Sequence, residues 1–160
     1  IQALYKHPKI KCYVSLTHGE GFGLPLFEAA YNGLPIIAPG WSGHLDYLYG
    51  IVEKDDQFSF EALYHEVDYT LNAVQKEAVW KGVIEASSGW CYPSEASYKV
   101  ALREIRKNHK DAKKRAKLLK KNVRDNFGFD SVSEKFVESI LTAVEPHGTP
   151  ELDLESVMVL

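Results

Sequence analysis

The sequence predicts an α/β fold with a parallel sheet, and three observations carry that prediction. Short apolar runs alternate with helical stretches over the first fifty residues. Gly-rich or Pro-Gly punctuation separates them. A long amphipathic and strongly basic stretch follows later in the chain.

The elements can be justified in order. Residues 1–6 have the character of a helix end, and Lys9–Leu16 reads as a short strand. A polar turn, residues 17–23, leads into a helix from Leu24 to Tyr31, with Pro25 suited to the first helical position and Asn32-Gly33 suited to a left-handed cap. Pro35–Ala38 is a second strand, stopped by Pro39-Gly40. Ser42–Leu48 forms one or two helical turns, and Tyr49–Val52 completes a strand–helix–strand–helix–strand series expected to be parallel. Val67, Tyr69, Leu71 and Ala73 alternate with polar residues, and a second run spans residues 80–86. This pattern predicts an extended arm or β-hairpin inserted over residues 60–92, with residues 87–93 as a loop.

Ser94 is placed to cap a helical region over residues 94–144, with a break at residues 108–111. Its expected buried stripe is Tyr98, Leu102, Ile105, His109, Ala112, Ala116, Leu119 and Val123. Residues 126–130 form a turn. Ser131 and Glu134 have capping-box spacing for a last helix, and an irregular tail occupies residues 145–160.

Composition bounds the function classes. The 160 residues are 45% hydrophobic and 26% charged, which is globular composition with enough chain for one ordinary domain. No stretch approaches the roughly 20 apolar residues of a membrane span. Cys12 and Cys91 have neither a metal-ligand nor a disulfide-scaffold spacing, so a reducing cytoplasmic setting is the expectation. The net charge of −3 conceals an asymmetry, because residues 103–124 carry eleven Lys/Arg against only Glu104 and Asp111. That block reads first as the solvated face of a helix and second as a peripheral contact with an anionic membrane. No aromatic residues interleave it, so nucleic acid is not an expected partner.

The informative segment is residues 17–28. Glycines at 19, 21 and 23 let backbone approach a ligand closely, just where a helix N-terminus after a parallel strand favours an anion. Two acids flank that point. Glu20 stands at the loop entrance. Glu28 sits among Leu26, Phe27, Ala29 and Ala30, where a carboxylate costs free energy unless it finds donors such as sugar hydroxyls. The plainer readings are a solvent-facing or lysine-paired Glu28 and a structural loop acid at Glu20. His18 reads as a loop polar group rather than a base, Trp41 as packing rather than a sugar platform, and Trp80 and Trp90 as packing.

The run Glu20-Gly21-Phe22-Gly23-Leu24-Pro25-Leu26-Phe27-Glu28-Ala29, followed by Gly33-Leu34-Pro35-Ile36-Ile37, resembles the signature of retaining, nucleotide-sugar-dependent glycosyltransferases of the two-Rossmann-domain (GT-B) type, family 4 or "group 1". Ser42-Gly43-His44-Leu45-Asp46 is similar to that family's Gly-Gly-x-x-Glu stretch, with Ser and Asp substituting. The close match covers about residues 10–54.

The resemblance implies a partial Rossmann-like sheet with C-terminal helices, within the nucleotide-sugar-binding domain of a GT-B protein. It implies that Glu20 contacts the donor sugar near its reacting carbon. The amides of Gly21, Phe22, Gly23 and Leu24 would face the sugar and diphosphate, and Glu28 would take the ribose hydroxyls. It implies a nucleotide-sugar donor as substrate, an acceptor the residues do not identify, and no metal or other cofactor. The Arg and Lys that hold the diphosphate in such enzymes lie far upstream of the first Glu, so the chain is expected to be part of a longer protein and inactive alone. The strand at Ile10–Leu16 would then present an open edge and a route to self-association. The rival expectations are a non-catalytic nucleotide-sugar-binding or interaction module, and a structural domain whose loop binds nothing.

Overall fold

The computed structural model of the chain describes residues 2–144. They divide into two compact units at residue 124. The first is α/β, built on a small parallel sheet flanked by helices.

A single helical turn, α1 (Gln2–Tyr5), precedes β1 (Tyr13–Val14), which is shorter than the expected Lys9–Leu16 because residues 7–11 turn back on themselves. There the Ile10 amide donates to the His7 carbonyl, and Lys11 Nζ donates to the Pro8 carbonyl. α2 (Leu24–Tyr31) follows, with Gly23 as its N-cap and Pro25 at the second helical position rather than the first. Its C-terminus is a Schellman cap. The Gly33 amide, at φ +75°, donates to Ala30 while the Leu34 amide donates to Ala29.

β2 (Ile36–Pro39) is buried at every position, as a strand covered on both faces must be. It runs through Pro39, one residue past the expected stop. It lies at the centre of a parallel sheet, between β1 and a strand formed by His65–Val67. β1 is an outer strand of that sheet. Tyr13 and Ser15 donate to the carbonyls of Pro35 and Ile37, so the Val14 amide faces away from the ladder.

The third parallel strand is not Tyr49–Val52. After α3 (Leu45–Leu48), the chain forms an antiparallel hairpin of β3 (Tyr49–Lys54) and β4 (Gln57–Ala62). Asp55 and Asp56 hold φ of 50° and 60°, the pair of positive values that a two-residue hairpin turn matching strand twist requires. Ile51, Phe58 and Phe60 are exposed, which a doubly covered strand would not permit. The third place in the parallel sheet belongs to β5 (His65–Val67), inside the segment expected to be an insertion.

A second hairpin pairs β6 (Tyr69–Ala73) with β7 (Gly89–Pro93). The hairpin expectation holds, but its return strand is the stretch expected to be a loop. Residues 80–84 make only one isolated bridge, Trp80 to Ile84, around Gly82 at φ +81°. Trp80 is exposed there and does not pack, contrary to expectation, whereas Trp90 does.

α4 (Glu95–Lys107) begins where Ser94 Oγ accepts from the Ser97 amide, and α5 (His109–Asn126) follows the break at Asn108. Ile37 and Val67 of the sheet meet Ala101, Ile105 and Ala112 in one core cluster, with Cys12 and Tyr98 packed against it. The buried stripe continues as Ala116, Leu119 and Val123. Leu102 is exposed and Ala101 takes its place, because the core direction on α4 is fixed by the i, i+4 pair Ala101 and Ile105.

In the second unit, α6 (Phe129–Val144) carries Phe129, Val132, Phe136 and Ile140 at helical spacing. It starts before the expected capping box. Ser131 lies within it, donating from Oγ to the Asn126 carbonyl. The tail predicted for residues 145–160 lies outside the described residues.

Candidate functional site

The loop between β1 and α2 is held from three directions. On one side, Ser42 Oγ accepts from the Glu20 amide at 2.8 Å and donates to the Glu20 carbonyl at 2.6 Å. The Gly43 amide also donates to that carbonyl. A Cβ at Gly43 would overlap the carbonyl oxygen of Gly21, so the two loops touch backbone to backbone. Ser42 itself holds φ of 90°, a left-handed value that glycine takes freely and serine does not. This is one of the positions where the resembled stretch has glycine.

From beneath, the buried Tyr47 donates to the Gly23 carbonyl at 2.9 Å. Burial, followed by the negative charge of Glu20, pushes the Tyr47 hydroxyl far above the usual phenol range, so it remains a donor. Phe22 packs at a tilt against both Tyr47 and Phe27, with ring centroids 5.1 Å and 5.2 Å away. At the far end, His18 Nδ1 donates to the Cys91 carbonyl at 2.6 Å, and its ring lies parallel to Trp90 at 4.6 Å. His18 thus anchors the loop to β7. Trp41 packs on Tyr69 with a centroid separation of 5.7 Å.

The pinned loop leaves main-chain donors free. The first helical hydrogen bond of α2 runs from the Phe27 amide to the Gly23 carbonyl. Among the described residues, the amides of Gly21, Phe22, Gly23 and Leu24 have no acceptor. With Pro25 lacking an N–H, these donors and the helix dipole form an anion-favouring end.

Glu28 does not sit in an apolar environment. Leu26, Ala29 and Ala30 form the buried side of α2, and Glu28 lies exposed on the other, accepting from the Tyr5 hydroxyl at 3.1 Å. Burial, then this hydrogen bond, raises Tyr5 to about 12. Partial burial also raises Tyr13, whose phenol feels the charges of both Glu20 and Glu28. Tyr5 packs edge-on against Tyr13, with ring centroids 6.1 Å apart.

The expected residues Glu20, Gly21, Phe22, Gly23, Leu24 and Glu28 fall on one loop and the helix it enters. What sequence reasoning missed is the support formed by Ser42, Tyr47, Tyr5 and Tyr13. A hydrogen-bonding side chain between Trp41 and Gly43 was the available signal for Ser42. The tyrosines carry no local signature.

Among the described residues, no group of three or more His, Cys, Asp or Glu could hold a metal ion. No helix among them is long and apolar enough to cross a membrane. Comparison of the chain with protein-family models, with curated proteins and with solved structures gives no match.

Proposed function

We infer that the chain supplies part of the donor site of a retaining, GT-B-type glycosyltransferase that uses a nucleotide-activated sugar. The observation that carries this reading is the pinned loop 17–23. Its free amides at Gly21–Leu24 lie between two carboxylates, in the order and spacing of the resembled signature. Glu20 holds the donor sugar near its reacting carbon, the amides take the sugar and diphosphate, and Glu28 accepts from the ribose hydroxyls. Negative charge developing on the leaving diphosphate is stabilised by aligned N–H dipoles, which act without reorganising.

The cations expected against the diphosphate are not supplied by this loop. The reading therefore leaves those cations to residues outside the loop. The acceptor is not assigned by these residues.

The test is kinetic, on the protein expressed from its full reading frame, and reads nucleoside diphosphate release from nucleotide sugars. Glu20→Gln is expected to lower turnover more than it lowers donor affinity. Equal turnover in the two proteins removes Glu20 from the mechanism. A protein that binds the donor and never turns it over favours the non-catalytic binding module.

A further inference from the structure

Two cavities in the first unit share Lys11 and lie at the start of β1, away from the loop that follows its end. One is an apolar groove of about 480 Å³ between the residues entering β1 and α4, with Cys12, Leu102 and Ile105 among its lining and Lys11, Arg103 and Arg106 as its charges. His109, whose buried Nδ1 has no hydrogen-bond partner, lines the same groove. The other is a polar cavity of about 210 Å³ lined by Lys6, His7, Lys11, Asn32 and Lys113 among others. No acidic side chain lines either cavity. Among the described residues, Lys11, Arg103 and Arg106 take part in no ion pair.

An apolar groove beside a small cationic polar cavity, with Lys11 lining both and donating from Nζ to the Pro8 carbonyl, is complementary to an amphiphile with an anionic head. We propose that this composite site binds an anionic membrane lipid. Its phosphate lies in the polar cavity against Lys6 and Lys113, and its hydrocarbon lies in the groove over Leu102 and Cys12. Arg103 and Arg106 stand at the groove rim, where a headgroup layer would meet them. The groove volume lies within the range typical of small-molecule sites. The site gives the basic face of α4 and α5 a defined point of contact rather than a diffuse field. It does not depend on the donor-site reading.

The proposal separates from non-specific attraction through its apolar half. Titration of the protein with monomeric dodecyl phosphate, octyl phosphate and inorganic phosphate is expected to show affinity falling in that order. The two alkyl phosphates should differ at least tenfold, since a fully buried methylene contributes about fourfold. Leu102→Ser, at an exposed position that the fold does not depend on, is expected to shrink that difference. Arg103→Gln with Arg106→Gln is expected to weaken cosedimentation with phosphatidylglycerol–phosphatidylcholine vesicles about 25-fold, from roughly fivefold per cation. Lys114→Gln with Lys117→Gln removes the same charge from outside both cavities and is expected to leave binding within about threefold of the parent.

Equal losses in the two double variants, or no dependence on chain length, overturn the proposal. So does dodecyl phosphate binding by a protein that ignores anionic vesicles at low salt.

Discussion

A single side-chain oxygen, Ser42 Oγ, makes hydrogen bonds to both main-chain groups of Glu20, accepting from its N–H at 2.8 Å and donating to its C=O at 2.6 Å. Glu20 is thereby placed through its backbone, and its carboxylate stays free for a ligand. Serine holds φ of 90° to do this, a conformation that costs a non-glycine residue about 1–2 kcal/mol.

Ser42→Ala keeps the strained conformation and loses both hydrogen bonds, so it is expected to destabilise the fold by about 1–3 kcal/mol. Ser42→Gly loses the same bonds and relieves the strain, and is expected to be about 1 kcal/mol more stable than the alanine variant. Urea unfolding of the three proteins measures both differences. An alanine variant as stable as the parent would show that the two bonds contribute nothing.

Gly43 and Gly21 face each other across the same contact and should respond oppositely to a methyl group. A Cβ at Gly43 runs into the Gly21 main chain, whereas one at Gly21 meets nothing within 4 Å. Gly43→Ala must push the two loops apart, and its expected cost is more than about 2 kcal/mol, in the range of overpacking and backbone strain. Gly21→Ala is expected to leave stability unchanged or raise it by up to about 1 kcal/mol through the unfolded state. Thermal melts of the pair decide the matter, and equal melting temperatures would contradict the close approach.

Tyr5 reports on Glu28. Its hydroxyl ionises near 12, raised first by burial and then by the hydrogen bond to the Glu28 carboxylate. The folded value lies above the ordinary 10, so the native state holds its proton longer than the unfolded chain does. The stability this contributes is fully present below pH 10 and is lost as pH rises from 10 through 12. Ultraviolet titration of tyrosinate, with Tyr5→Phe used to isolate the signal, is expected to show this late step. Glu28→Gln is expected to move it to lower pH, because the acceptor's charge is gone while the burial remains. An unmoved titration would break the Tyr5–Glu28 pairing.

The candidate site residues stand out in the sequence because their chemistry is local. Glycines, two acids and a helix start within twelve residues need no knowledge of the rest of the chain. Cap chemistry at Asn32-Gly33 and Ser94 was equally readable. The parallel sheet was legible in kind and wrong in membership, because β5 is three residues long and two of them, His65 and Glu66, are polar, while Tyr49–Val52 looks more like a core strand. Its true role depends on a turn made by Asp55-Asp56, two residues without the usual Asn-Gly or Asp-Gly signal. Ser42 and Tyr47 reach Glu20 and Gly23 from more than twenty residues away, and no periodicity encodes such a contact.

Loop 17–23 and α2 are expected to receive a nucleoside diphosphate. The measurement is amide chemical-shift mapping of the chain at high concentrations of uridine, guanosine and adenosine diphosphates. Shifts are expected at Gly21, Phe22, Gly23 and Leu24 and at Glu28 with at least one of the three. Affinity is expected to be roughly 10- to 150-fold lower in a folded Glu28→Ala variant, from the loss of hydrogen bonds to a charged group. Shifts confined to the basic residues 103–124, or an affinity that Glu28→Ala leaves unchanged, would contradict a donor site at this loop.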